Sequence, residues 1–177
     1  KNLVDLCNRI VAESGFEGLS FVQGSISDYP VGKIDMLIAL HACDTATDDA
    51  IFKGISADAT YIICAPCCHH QIRKEMNPEN ELKPILKHGI FLERQAEMLT
   101  DGLRALILEK YGYHAKVFEF ISTSHTPKNV IIVGRKTKIK PDVDKISDQI
   151  HQIKRAFGIG NHYLEQLLNK TEAGSWQ

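Results

Sequence analysis

Apolar residues recur along this chain at two periods, three-to-four and two, and the exchange between them outlines a fold. Leu3, Leu6, Cys7, Ile10 and Val11 step by three and four, which predicts an amphipathic helix, with Gly15 where a left-handed stop belongs. Leu19 to Gln23 reads as a short strand ending in Gly24-Ser25. Ile34 to Leu40 is an unbroken apolar run, the pattern of a strand covered on both faces and paired in parallel. Thr45 and Asp48 have capping-box spacing ahead of Ala46, Ala50, Ile51 and Ile55, so a second helix follows, and Ala59 to Cys64 gives a third strand. Alternation of this kind builds βα units.

From Gln71 to Glu93 the chain turns polar, with Pro78 and Pro84, and is expected to hold short helices at most, as a lid or binding loop does. Ala96, Leu99, Leu103, Leu106 and Ile107 then mark a long helix. Tyr113 to Ile121 and Asn129 to Arg135 read as two last strands, close enough in sequence to pair antiparallel and close the sheet. Beyond Pro141, Val143, Ile146, Ile150, Ile153 and Phe157 step by three and four, with acidic Asp142 and Asp144 at the start and basic Lys154 and Arg155 at the end, as a helix dipole prefers. Two heptads are few for a coiled coil, so this helix is expected to pack on the body. A short final helix, His162 to Leu168, follows Gly158 to Gly160.

Composition narrows the class without changing this outline. The 177 residues are 44% hydrophobic and 24% charged, which excludes disordered, collagen-like and disulfide-knot chains. Twenty-one Lys and Arg against 22 Asp and Glu leave a net charge of -1, so no global field steers the protein to nucleic acid or anionic lipid. The apolar runs Met36–Leu40 and Val130–Val133 fall far short of the ~20 residues a membrane helix needs, and no membrane contact is expected. No signal peptide is visible at Lys1 to Ile10. Four of the five cysteines, Cys43, Cys64, Cys67 and Cys68, crowd into a short interval, which suits a reducing, cytoplasmic compartment.

The candidate chemistry gathers after two strands: His41-Ala42-Cys43-Asp44 after the second and Ala65-Pro66-Cys67-Cys68-His69-His70 after the third. Ligands of open α/β sheets bind outside the carboxyl ends of the strands, so adjacent strands would put both segments in one crevice. Four chemistries compete there. Cys64 and Cys67 have knuckle spacing for zinc, with Cys43 or His41 as distant partners, but neighbouring side chains alternate in direction and no closed tetrahedral site is evident; no metal is expected. Thiol redox chemistry would want a helix opening at the pair, and Pro66 argues against one. Covalent catalysis by Cys67 or Cys68 with a histidine base, and group transfer beside a bound cofactor, stay open together. Cys7 and Cys64 are expected to be buried small hydrophobes, and His88, His114, His151 and His162 solvated surface residues.

Phe21-Val22-Gln23-Gly24-Ser25-Ile26, then Ile34 to Asp44 followed by Ala46-Thr47-Asp48, then Ala65 to His70, and finally His125-Thr126-Pro127-Lys128-Asn129 carry a resemblance. In that order they resemble a branch of class I S-adenosylmethionine-dependent methyltransferases with a Pro-Cys-Cys-His signature, which includes relatives of a tRNA 2'-O-methyltransferase. The resemblance implies the C-terminal two-thirds of an α/β, Rossmann-like methyltransferase domain over 1–136, mostly parallel with an antiparallel final strand, and a C-terminal helical extension over 137–177. It implies S-adenosylmethionine as cofactor, with Gly24, Ser25 and Ile26 bordering the adenine and Leu40 and His41 beside the methionine. It turns Asp44, Cys67, Cys68, His69 and His70 toward the acceptor.

The sequence has no Gly-x-Gly-x-Gly turn, and the chain opens in what would be the helix after that family's second strand, so the rest of the cofactor site is expected upstream of Lys1. Methyl transfer from a sulfonium is an in-line displacement needing alignment and, for a hydroxyl or amide, a base; Asp44 or His69 is expected to be that base. His41-Ala42-Cys43-Asp44 is not the Asn-Pro-Pro-aromatic turn of exocyclic-amine methyltransferases. Cys43 with Cys67 would mimic the paired cysteines of RNA cytosine methyltransferases. RNA is favoured over a protein acceptor, because Lys136, Lys138 and Lys140 with Arg73 and Lys74 would form a basic strip beside the crevice.

Overall fold

The computed structural model describes residues 2–30, 32–121 and 128–174, with side chains as far as Thr171. The chain divides into two compact units, Lys1–Pro30 and Val31–Gln177. In the first, α1 (Asn2–Glu13) follows the apolar stripe, and Gly15 lies just beyond it at φ 70°. No strand forms over Leu19–Gln23, contrary to the sequence pattern. A strand needs a ladder partner, and the one Phe21 finds is a side chain. The Asn8 carboxamide donates from Nδ2 to the Phe21 carbonyl at 2.9 Å and accepts the Phe21 N–H at Oδ1 at 2.7 Å. It imitates a neighbouring peptide group for one residue only. Ser25 then accepts the N–H groups of Asp28 and Tyr29 in a turn.

The second unit contains a sheet of β1 (Met36–Leu40), β2 (Tyr61–Ala65), β3 (Tyr113–Glu119) and β4 (Val130–Lys136), in spatial order β1-β2-β4-β3. β1 and β2 are parallel, with Leu40 opposite Ala65, whereas β4 runs antiparallel to both β2 and β3. The sheet is therefore mixed, not mostly parallel, among the described strands. Its two faces differ. Ala39, Ile62, Cys64, Ile132 and Gly134 lie on a face that is buried under α2 (Thr45–Ser56) and α5 (Gly89–Lys110). Gly54 of α2 comes so close that a Cβ there would lie 2.7 Å from the Ile62 side chain. The Tyr113 hydroxyl donates to the Ala59 carbonyl at 2.9 Å. On the other face Met36, Ile38, Leu40 and Phe118 are exposed, so the expected cover on both sides of the apolar run is absent from the described residues.

Outside α5 and α2 lie α6 (Val143–Ala156), packed on α5, and α7 (Tyr163–Gly174), packed on α2. α6 has the bounds its apolar period predicts and starts at Asp142, whose Oδ1 accepts the Lys145 N–H at 3.1 Å. α7 runs well past the expected Leu168. Between β2 and α5 stand the short helices α3 (His70–Glu75) and α4 (Lys83–Leu86). The expected lid is fastened here rather than loose. Asn77 N–H donates to the Phe157 carbonyl at 3.1 Å, Asn80 Nδ2 to Ala156 at 2.7 Å, Gln71 Nε2 to Asn161 at 2.9 Å, and Asn161 N–H to Glu75 at 2.8 Å. Gly158, at φ 64°, is where the two segments press together, since a Cβ there would collide with the Asn77 carbonyl oxygen. No helix among the described residues is long and apolar enough to cross a membrane.

Candidate functional site

The parallel register of β1 and β2 carries their C-terminal loops side by side. The first loop is bent by two non-glycine residues at positive φ, His41 at 58° and Asp44 at 54°. With ψ at -121°, Asp44 occupies a conformation that glycine dominates, at a cost of about 1–3 kcal/mol. Three hydrogen bonds hold the loop in place. Arg104 Nη2 donates to the Asp44 carbonyl at 2.8 Å, Thr47 Oγ1 donates to the Ala42 carbonyl, and the Gln71 N–H donates to Asp44 Oδ1 at 3.1 Å. Gln71 lies in the first turn of α3, so the Asp44 carboxylate caps a helix on the neighbouring loop. The capping box expected from Thr45 and Asp48 does not form: Asp44 holds the N-cap position of α2 without a side-chain cap bond, and Asp48 is engaged elsewhere.

Asp48 belongs to a buried charge network that the sequence reading missed. Arg104, fully buried on α5, donates from Nε to Asp48 Oδ1 at 2.8 Å and from Nη2 to Oδ2 at 3.1 Å. Its Nη1 donates to Asp101 Oδ1 at 3.1 Å, and Asp101 accepts His69 Nε2 at 3.1 Å. Burial pushes the Asp48 carboxyl up, against the pull of Arg104. The two carboxylates raise Arg104 further in spite of its own burial, so the guanidinium stays charged. The signal was present: Asp101 and Arg104, three apart, interrupt the apolar stripe of α5 between Leu99 and Leu108.

His69 was expected to face the acceptor, and the structure corrects this. It is buried at 4% exposure with Nε2 on Asp101, and its Nδ1 has no hydrogen-bond partner. The carboxylate fixes Nε2 as the protonated nitrogen, so His69 anchors its loop from beneath. His162, expected at the surface, is likewise buried at 1% with neither ring nitrogen bonded, whereas His88, His114 and His151 are exposed. Burial, then the nearby Arg104, pushes His162 down to about 4.

The second loop leaves the strand at Ala65 and a buried Pro66. Freed from strand geometry, Cys67 and Cys68 no longer point to opposite faces, and their Sγ atoms lie 3.7 Å apart. Cys67 Sγ also lies 3.1 Å from Cys43 Sγ on the first loop. Contact with Cys43, then burial and Cys68, pushes the Cys67 thiol up to about 12. Cys64 is the buried small residue expected, pushed up to about 12 by burial.

Among the expected site residues, Asp44, Cys67 and Cys68 are thus brought together with Cys43, and exposed His70 opens α3 beside them. At the tip of β1, Leu40 is 60% exposed next to the His41 turn. Gly24, Ser25 and Ile26 belong to the first unit. His125, Thr126 and Pro127 lie outside the described residues. The lysine strip is corrected by register: Tyr61, where β2 begins, pairs with Arg135, so Lys136 and the lysines after it leave the sheet at the end opposite the two loops. Lys136 pairs with Asp58 at 2.8 Å, and Arg73 with Glu93 at 2.8 Å.

No solved structure matches this chain. Glutathione S-transferase C-terminal domain-containing proteins of Homo sapiens and Bos taurus are each 30% identical to it over 146 residues, covering 69% of this chain and 23% of theirs. The homolog of Drosophila melanogaster is 28% identical over 154 residues, 71% of this chain and 26% of its own. The chain therefore spans about a quarter of the length of the curated relatives it matches. Residues 1–75 match a family model described as a methyltransferase domain, and that segment includes both loops of the site. The match supports a methyltransferase family for the part of the chain from which the site is built.

Proposed function

We propose that these two loops form the acceptor side of an S-adenosylmethionine-dependent methyltransferase site, with Asp44 as general base and RNA as the methyl acceptor. The observation that carries the reading is the strained Asp44, fastened by Arg104, Thr47 and Gln71 at the tip of one strand beside the tip of its parallel neighbour, inside the segment that matches a methyltransferase domain. Strain held this firmly is a mark of functional loops.

When bound, the cofactor supplies an electrophilic methyl on a sulfonium. Leu40 and His41 are the proposed neighbours of its methionine part. In an in-line displacement the attacking hydroxyl or amide must give up its proton, and a carboxylate in contact with it takes that proton. Gln71 holds Oδ1 of Asp44, which orients the carboxylate, and Arg104 holds the backbone that carries it. The chain His69–Asp101–Arg104–Asp48 ties that backbone to the second loop. For RNA, exposed His70 and Lys74 stand one helical turn apart on α3 and offer phosphate contacts. The five unbonded cysteines suit the proposed cytoplasmic location.

Transfer of labelled methyl into total RNA, measured with this chain and with longer products of its reading frame, tests the proposal. Asp44→Asn keeps an oxygen for the Gln71 N–H and removes the base, so transfer is expected to fall about 10²–10⁴-fold with the fold intact. An unchanged rate in Asp44→Asn removes Asp44 as base. Label found only in protein removes RNA.

A further inference from the structure

We propose that Cys43, Cys67 and Cys68 form a trigonal site for one thiophilic monovalent ion, copper(I), at the paired strand tips. The inference goes beyond methyl transfer and does not rest on it. The three Sγ atoms all lie within 4.8 Å of one another, with Cys67 at 3.1 Å from Cys43 and 3.7 Å from Cys68. Three sulfurs each about 2.3 Å from one ion stand about 4 Å apart. The Cys67–Cys68 spacing is therefore close to that of two ligands, and the Cys43–Cys67 spacing has less than an ångström to open.

The local backbone explains why the sulfurs converge. Neighbouring cysteines on a strand diverge, but Pro66 ends β2 before them, and the following residues run irregularly into α3. Cys43 comes from the other loop, between the two positive-φ residues that bend it. Two segments held against each other thus supply the ligands, and the exposed Cys43 leaves the cluster open to an entering ion.

The donor set selects the ion. Soft thiolates suit copper(I) and zinc, but a structural zinc site takes four protein ligands, and zinc sites with three protein ligands and a water draw on histidine or carboxylate rather than on thiolates alone. Among the described residues the cluster comprises three cysteines and no fourth side chain. Copper(I) is satisfied by three. Binding forms three Cu–S bonds and releases the three thiol protons to solvent, with no change of oxidation state.

The test uses the reduced, anaerobic protein and copper(I) supplied as its acetonitrile complex in competition with bicinchoninate. One equivalent is expected to be withheld from the indicator, with a new thiolate-to-metal absorption band in the ultraviolet. Cys43→Ser and Cys68→Ser, each checked for an unchanged circular dichroism spectrum, should each weaken binding at least 10-fold, whereas Cys7→Ser in the first unit should not. Three results would overturn the site: no copper withheld, equal affinity in Cys43→Ser and Cys68→Ser, or zinc bound one per chain as tightly as copper. Absence of copper binding together with rapid formation of a Cys43–Cys67 disulfide under dilute hydrogen peroxide would make the pair a redox couple instead.

Discussion

Arg104 joins three segments through one guanidinium: α2 at Asp48, the first loop at the Asp44 carbonyl, and Asp101, which carries His69. Removing it leaves two carboxylates buried without their cation, so Arg104→Ala is expected to cost about 3–5 kcal/mol, read as a lowered urea midpoint. Arg104→Lys should recover only part of this, because an ammonium cannot hold Asp48 through two parallel bonds. His162 predicts an effect of the opposite kind. Its folded value near 4 lies below the 6.5 of the unfolded chain. On acidification the unfolded imidazole takes up a proton before the folded one can, so stability is lost as pH falls from 6.5 toward 4, by up to about 3 kcal/mol. His162→Leu should flatten that part of the pH profile in chemical denaturation. It also removes a ring whose nitrogens lack partners, so it should not destabilise the protein at pH 7.

At the scale of elements, periodic segments were the legible ones. α2, α5, β3, β4 and α6 stand where their apolar spacing puts them, because a face that must be buried fixes the period whatever covers it, and α1 follows its stripe although Leu3, Leu6 and Ile10 are exposed. Leu19–Gln23 failed for want of a partner, which no local pattern reveals. The site was legible in part. Two loops at adjacent strand tips follow from the βα order, but burial of His69 and His162 does not, since a polar residue is drawn inside by partners distant in sequence. Nor was the fastening of α3 and α4 visible, because its glycine, Gly158, lies 81 residues from Asn77 and reads as an ordinary helix stop. Gly158→Ala tests that contact. A methyl group driven against the Asn77 carbonyl at positive φ is expected to cost more than about 1 kcal/mol. Hydrogen exchange should then accelerate over residues 69–80 while the β2–β4 ladder stays protected.

For the whole molecule, distribution of charge matters more than its sum. If RNA binds across α3, Lys74→Ala should reduce the dependence of log affinity on log salt by about one. Replacing Lys136, Lys138 and Lys140 together with alanine should leave that slope unchanged, because they leave the sheet at its other end. Filter binding over a salt series reads both. The contact between Gly158 and Asn77 also bears on the order in which the protein is made. β1, α2 and β2 can pair as soon as they emerge from the ribosome, but α3, which begins at the thiol loop and receives the Asp44 cap, is fastened by residues 156–161, translated some eighty codons later. A nascent chain halted before Asp101 would display Cys43 on one loop and Cys67 and Cys68 on the other, with neither His69 nor α3 yet secured from downstream, open to oxidants and metal ions until synthesis reaches the residues that hold them.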